Sequence, residues 1–149
     1  MALPRRMEWT PRGTELTTAA LPDARPPAES TAGRLQQMRQ FARRFAVHEE
    51  YRGDKVECRL MPAPIDRYAD PEKGIRDGAL FTFANGTNPE LGLLLECNDR
   101  EWTYGTFRMG AAALFVDLDG KSVREIPNVG AYSTTASYTS TRQTVPLPD

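Results

Sequence analysis

The sequence predicts an α+β domain: a curved antiparallel meander of about six strands, with one N-terminal amphipathic helix packed on it. Three observations carry this expectation. Apolar residues recur at spacings of three and four through Leu35, Met38, Phe41, Ala42 and Phe45, which marks one face of a helix. From Lys55 onward, short segments alternate apolar and polar residues, as half-buried strands do. Between those segments stand pairs such as Asn85-Gly86 and Asp119-Gly120, which suit tight hairpin reversals.

Residues 1–29 are rich in Pro, Ala, Thr and Arg, and Pro22, Pro26 and Pro27 oppose a regular helix. This stretch reads as a disordered leader or linker. Ser30 is a good N-cap, and the helix is expected from about Thr31 to Glu50, with His48 in its last turn and Gly53 just beyond. Lys55–Met61 follows as a strand with Val56, Cys58 and Leu60 on one face. Ala79–Ala84 is a short strand whose Phe81 and Phe83 share a face. Leu91–Cys97 is almost continuously apolar and so central. Asn98-Asp99-Arg100 turns into Trp102–Met109, Ala111–Leu118 alternates, and Lys121–Ile126 closes the series. Pro89 cannot donate to a ladder, so the strand after Gly86 is expected to begin at or after Glu90. The domain is thus 30–127. Residues 128–149, rich in Ser and Thr without apolar periodicity, read as a disordered tail.

Bulk properties exclude several classes. The chain has 149 residues, a net charge of -1 and 26% charged residues, with a mean hydropathy of -0.54. Nothing global points to nucleic acid or an anionic surface, and no run approaches the ~18 apolar residues of a membrane helix. The charge is uneven: residues 1–52 hold nine arginines against six acids, whereas 53–127 hold nine basic groups against thirteen acids. Cys58 and Cys97 read as buried free thiols. Without a secretory signal at the start, the expected compartment is the cytoplasm.

The stretch Arg59–Glu90 concentrates shape-fixing residues, with Pro62, Pro64, Pro71, Pro89, Gly74, Gly78 and Gly86 interleaved with charged and aromatic groups. Arg67, Tyr68 and Asp77 suit a locked loop, an arginine fork gripping a carboxylate, or a ligand site at the loop's mouth. Glu96 lies inside an apolar strand, and with Tyr104 and Arg108 on the next strand it suggests a polar patch. These six residues are the candidate ligand-binding set. No phosphate loop, G-x-S-x-G elbow or zinc spacing is present. His48, the single histidine, has no metal-ligand neighbours in sequence, so no metal or cofactor is expected.

The strings RRFAVHE at 43–49, RLMPAPIDRY at 59–68, DGALFTFANGTNPE at 77–90 and WTYGTFRM at 102–109 resemble an uncharacterised domain that recurs in hypothetical proteins of planctomycete bacteria. The resemblance covers about residues 34–127, and Asp66 and Arg124 stand where an aromatic residue and a Trp are expected. It implies no activity and carries no site residue over. The residues themselves favour a non-enzymatic binding or protein-interaction module of unknown ligand, with an unknown protein or small molecule as partner rather than nucleic acid or a membrane. The alternative is a small hydrolase-like enzyme using Asp/Glu carboxylates with Arg108 as stabiliser.

Overall fold

The computed structural model describes residues 16–128. Their order is β1 (Thr17–Ala20), α1 (Thr31–Ala42), β2 (Phe45–Tyr51), β3 (Asp54–Leu60), β4 (Asp66–Asp70), a 3-10 turn at Pro71–Lys73, β5 (Ile75–Asn85), β6 (Asn88–Cys97), β7 (Trp102–Arg108), β8 (Ala113–Leu118) and β9 (Lys121–Ile126). The strands form one antiparallel sheet in the order β1-β7-β6-β5-β3-β2-β8-β9, with β4 also on β5. The α+β class and the antiparallel sheet are as expected. The strand number is not: nine strands are present among the described residues, and the helix follows a strand instead of leading the chain.

The helix begins where its cap requires. Gly33 N donates to Ser30 Oγ at 3.0 Å, satisfying one of the orphan donors of a first turn. It ends at Ala42, well short of Glu50. Residues 45–51 become β2 because Phe45, Val47 and Glu49 are buried while Ala46 and Glu50 are exposed, a period of two that only a strand produces. Phe45 fits the helical spacing by coincidence of i+4. β2 lies between β3 and β8, pairing Val47 with Cys58 and with Val116. His48 is therefore mid-strand, stacked on Phe115 at 4.7 Å, not at a helix end. Arg52 and Gly53 both take positive φ, 52° and 89°, which makes Gly53 part of a primed hairpin turn.

Residues 16–29 are built into the fold, which corrects the reading of 1–29 as a disordered leader for that part. β1 pairs with β7 from Thr17↔Thr106 to Ala20↔Thr103, and Leu21 is buried in the core. The proline-rich segment is strapped to α1: Gln37 Nε2 donates to Pro26 O at 2.8 Å and Gln37 Oε1 accepts from Ala28 N at 2.7 Å. Polar Gln37 and Arg34 are buried under this strap, so the helix stripe is not purely apolar. Residues 1–15 and 129–149, with nearly all of the expected tail, lie outside the described residues.

The core lines the concave face of the sheet. Registers Phe81↔Leu93↔Thr106 and Ala79↔Leu95↔Tyr104 place these side chains together, and Phe81, Leu93, Leu95, Leu114 and Val116 are almost fully buried. The helix packs on this face, its Phe41 ring meeting Trp102 edge-on at 5.3 Å. The sheet curls into a half-barrel: Arg124 of β9 donates to the Thr106 carbonyl and hydroxyl of β7.

Gly86 adopts φ +59 in the β5–β6 hairpin, and no atom lies within 4 Å of the place a Cβ would occupy. Asn85 pairs with Asn88, so Gly86 is the first central residue of a two-residue turn, the place where II′ turns need positive φ. The constraint is thus on the backbone dihedral and not on space. Pro89 does lie within β6, contrary to expectation, because it sits opposite Ala84 beside a bulge where no ladder donor is demanded. Gly86→Val is expected to lower unfolding free energy by roughly 1–2 kcal/mol, measured by urea denaturation; an unchanged midpoint refutes the backbone requirement.

Candidate functional site

The six residues singled out from the sequence divide into separate groups. Asp77, on β5, accepts from Arg34 Nε at 2.7 Å, from Arg67 Nη2 at 2.8 Å and from Arg67 Nε at 3.1 Å. Burial alone would push its carboxyl up, but the hydrogen bonds from Arg67 and Arg34 prevail and hold it below the ordinary range. Arg34 and Arg67 also donate to Glu29 O and Thr31 O. The network ties α1, β4 and β5 together, and its donors and acceptors are used internally.

Tyr68 donates to Glu96 Oε1 at 2.5 Å. Gly78 makes this possible, since a Cβ there would lie 2.8 Å from the Tyr68 ring. Burial, followed by the bond to Glu96, pushes the Tyr68 hydroxyl well above its ordinary value. Glu96, Tyr104 and Arg108 do not converge. Glu96 opposes Thr103 whereas its neighbour Leu95 opposes Tyr104, so Glu96 and Tyr104 point to opposite faces. Arg108 shares a face with Tyr104 but lies four residues along, roughly 13 Å away. Tyr104 packs on Phe45 at 5.1 Å, and Arg108 is buried, donating to the carbonyls of Gly110, Ala111 and Pro127.

A different surface gathers unused chemistry. β3 keeps only two register pairs with β5, Arg59↔Ala84 and Leu60↔Phe83, then the Pro62–Pro64 loop leads to β4 on the same β5 edge. Where β3 leaves β5 to follow β2, a gap opens beside the last turn of α1. Arg39 and Arg43 of the helix, Arg59 of β3, Leu60, Pro62 and Phe81 line a cleft of about 330 Å³ there. Arg43 and Leu60 continue into a second cleft of about 280 Å³, floored by Phe45, Val47, Cys58 and Phe83, with Glu57 on its rim. The result is an apolar floor edged by three guanidinium groups and one carboxylate.

Among the described residues, the side chains of Arg39, Arg43 and Arg59 make no hydrogen bond or ion pair, whereas Arg34, Arg44, Arg67 and Arg76 each reach a carboxylate. A cleft of about 470 Å³ on the other side of the helix contains Asp23, Arg25, Gln40, Arg44 and Asp119, but Arg44 pairs with Asp119 and Arg25 donates to Gln40. Its Arg44 and Asp119 thus neutralise each other. Cys58 in the groove floor is held as the thiol: burial first, and then the charges of Glu49 and Glu90, push it up to about 12.

Beneath one end of the groove lies a carboxylate pair. Glu49 of β2 and Glu90 of β6 are each only 5% exposed, and they lie close enough for Glu49 to act directly on the Glu90 carboxyl. Asn85 donates to Glu49 at 2.6 Å and Asn88 to Glu90 at 2.5 Å. Glu90 is the extra residue of the bulge, because Phe83 opposes Leu91 while Ala84 opposes Pro89. The bulge turns its side chain inward. Burial, followed by the charge of Glu49, pushes the Glu90 carboxyl up to about 7 against the opposing bond from Asn88.

No family model, curated protein or solved structure matches the chain.

The groove and the pair both escaped the sequence reading. Arg39 and Arg43 were visible as a basic helix face, but Arg59 joins them only through the β3–β5 junction. Glu49 was hidden inside the supposed helix. Glu90 could have been suspected, since a carboxylate next to the strand-breaking Pro89 and before an apolar run is the pattern a bulge exploits. No group of three or more His, Cys, Asp or Glu side chains able to hold a metal occurs among the described residues, and no helix there is long and apolar enough to cross a membrane.

Proposed function

We propose that this protein is a non-enzymatic binding module whose groove takes a small anion with an apolar body. The observation that carries the reading is the trio Arg39, Arg43 and Arg59, without partners among the described residues and set around the apolar floor of Leu60, Phe81 and Phe83. Guanidinium groups stay charged and grip carboxylate or phosphate oxygens in bidentate fashion, and unmatched charge of one sign selects a ligand of the other. At about 330 Å³ the main cleft falls at the lower end of small-molecule sites, ~300–1,000 Å³, which favours a small amphiphile over a folded partner. The buried free cysteines fit a reducing, cytoplasmic setting.

The hydrolase alternative draws less support. Its carboxylates, Glu49 and Glu90, are sealed at 5% exposure, and Glu96 is engaged by Tyr68.

Decanoate and decanol distinguish the reading, by titration calorimetry and chemical-shift mapping. Decanoate is expected to shift Leu60, Phe81 and Phe83 resonances and to bind at least roughly tenfold more tightly than decanol, a difference of about 1.4 kcal/mol. The combined Arg39→Ala, Arg43→Ala and Arg59→Ala variant is expected to lose that preference while keeping its thermal transition, because all three side chains are exposed. Equal binding of acid and alcohol, or an unaltered preference in the triple variant, overturns the proposal.

A further inference from the structure

The groove has two walls that share few backbone bonds. Its floor residues Val47 and Cys58 belong to the β2–β3 hairpin, whereas Phe81 and Phe83 belong to β5. The two halves are pinned by the pairs Arg59↔Ala84 and Leu60↔Phe83, by the bond from Met61 N to Thr82 O at 2.9 Å and, at the far end, by side chains. There Glu49 reaches across from β2 to Asn85 and to Glu90 in the β5–β6 hairpin. We propose that the Glu49–Glu90 contact is a proton-operated latch: one shared proton holds β2 against the β5–β6 hairpin, and loss of that proton forces the walls apart and changes the groove.

Two buried carboxylates held this close repel each other strongly when both are ionised, so the closed arrangement favours a protonated Glu90. From β3 the facing titratable group is Cys58, whose thiol stays neutral. From β8 Leu114 opposes Glu49. From β7 Arg108 lies next to the bulge and spends donors on the carbonyls of Gly110, Ala111 and Pro127. Gly110 leaves the carboxylate its space, since a Cβ there would sit 1.6 Å from Glu90 Oε2.

The direction of the pH effect follows. The folded Glu90 value of about 7 lies above its ordinary 4.5. Its contribution is fully present below the unfolded value and is lost as pH rises through the folded one. The window is therefore pH 4.5 to about 7. The depressed Asp77 acts in the opposite sense, but only at more acidic pH.

The latch itself is independent of what the groove binds; only its effect on a ligand rests on the groove reading. Amide hydrogen exchange, corrected for intrinsic rate, tests it on the full chain at about pH 5.5 and about pH 8, together with a carboxyl ¹³C titration. Protection at Arg59, Met61 and Ala84, the amides of the β3–β5 junction, is expected to fall roughly tenfold or more over that interval, since each pH unit between the two values changes a one-proton equilibrium tenfold. Protection at Leu93 and Leu95 should fall less. Glu90→Gln, which keeps a donor and acceptor without a titrating proton, should abolish the difference. The Glu90 carbon should titrate near neutrality in the unsubstituted protein, a readout that requires no variant to fold. A Glu90 midpoint in the ordinary carboxylate range, or an equal fall in Glu90→Gln, overturns the latch. Decanoate affinity across the same interval separates the two proposals: absent decanoate binding sinks the groove reading and leaves the exchange result standing.

Discussion

Asp77→Ala is expected to lower the unfolding free energy by about 3–5 kcal/mol, the usual cost of breaking a buried ion pair from one side. The size follows from what is left behind. Asp77 and Arg34 have side chains only 6% and 8% exposed, so removal of the carboxylate strands a guanidinium in a poorly solvated place. Arg34 keeps its bonds to Ala28 O and Glu29 O, but those carbonyls cannot neutralise it. Arg67 is 28% exposed and can turn to water, so Arg67→Ala should cost distinctly less. Urea denaturation followed by Trp fluorescence measures both. A loss under about 1 kcal/mol for Asp77→Ala would mean that water replaces the carboxylate and that the network holds nothing together.

Phe45→Ala is expected to cost about 3–5 kcal/mol, as large-to-small changes in a packed core do. Phe45 is 5% exposed, packs on Tyr104 and opposes Leu118 of β8. The lost apolar contact accounts for part of the cost, and the void left among strands that cannot collapse inward accounts for the rest. The same loss would be expected of a buried helical Phe, so the measurement gains force from a companion. Ala46, its neighbour, is exposed on the strand, and Ala46→Thr should be close to neutral or slightly stabilising, as suits a β-branched residue on a strand. A Phe45→Ala cost below about 1 kcal/mol would place the ring outside the core.

Much of the fold was legible because several of its signals are local. Ser30 caps the helix, Asp119-Gly120 turns the β8–β9 hairpin with both φ positive, and the apolar run Leu91–Cys97 is the central β6. The failures are instructive. β4 has burial alternating only between exposed and half-buried positions, so no apolar period marks it; it is a strand because the β5 edge offers partners. β1 is four exposed residues made regular by β7. Of the residues expected around the loop, Arg67 bonds Asp77 whereas Tyr68 leaves them and donates to Glu96. The patch of Glu96, Tyr104 and Arg108 failed on the two-residue period of strands.

The sequence by itself determined the turns, the helix start and the strands whose apolar residues alternate, because dihedral preference and burial period are written over a few neighbouring residues. Only the tertiary structure decided that Phe45–Tyr51 is a strand, since β3 and β8 flank it and supply its hydrogen bonds. Only the tertiary structure brought Arg59 to Arg39 and Arg43, or set Glu49 against Glu90. Those meetings depend on where β3 leaves β5 and on a single extra residue in β6, and no local preference encodes the distance between groups that far apart in the chain.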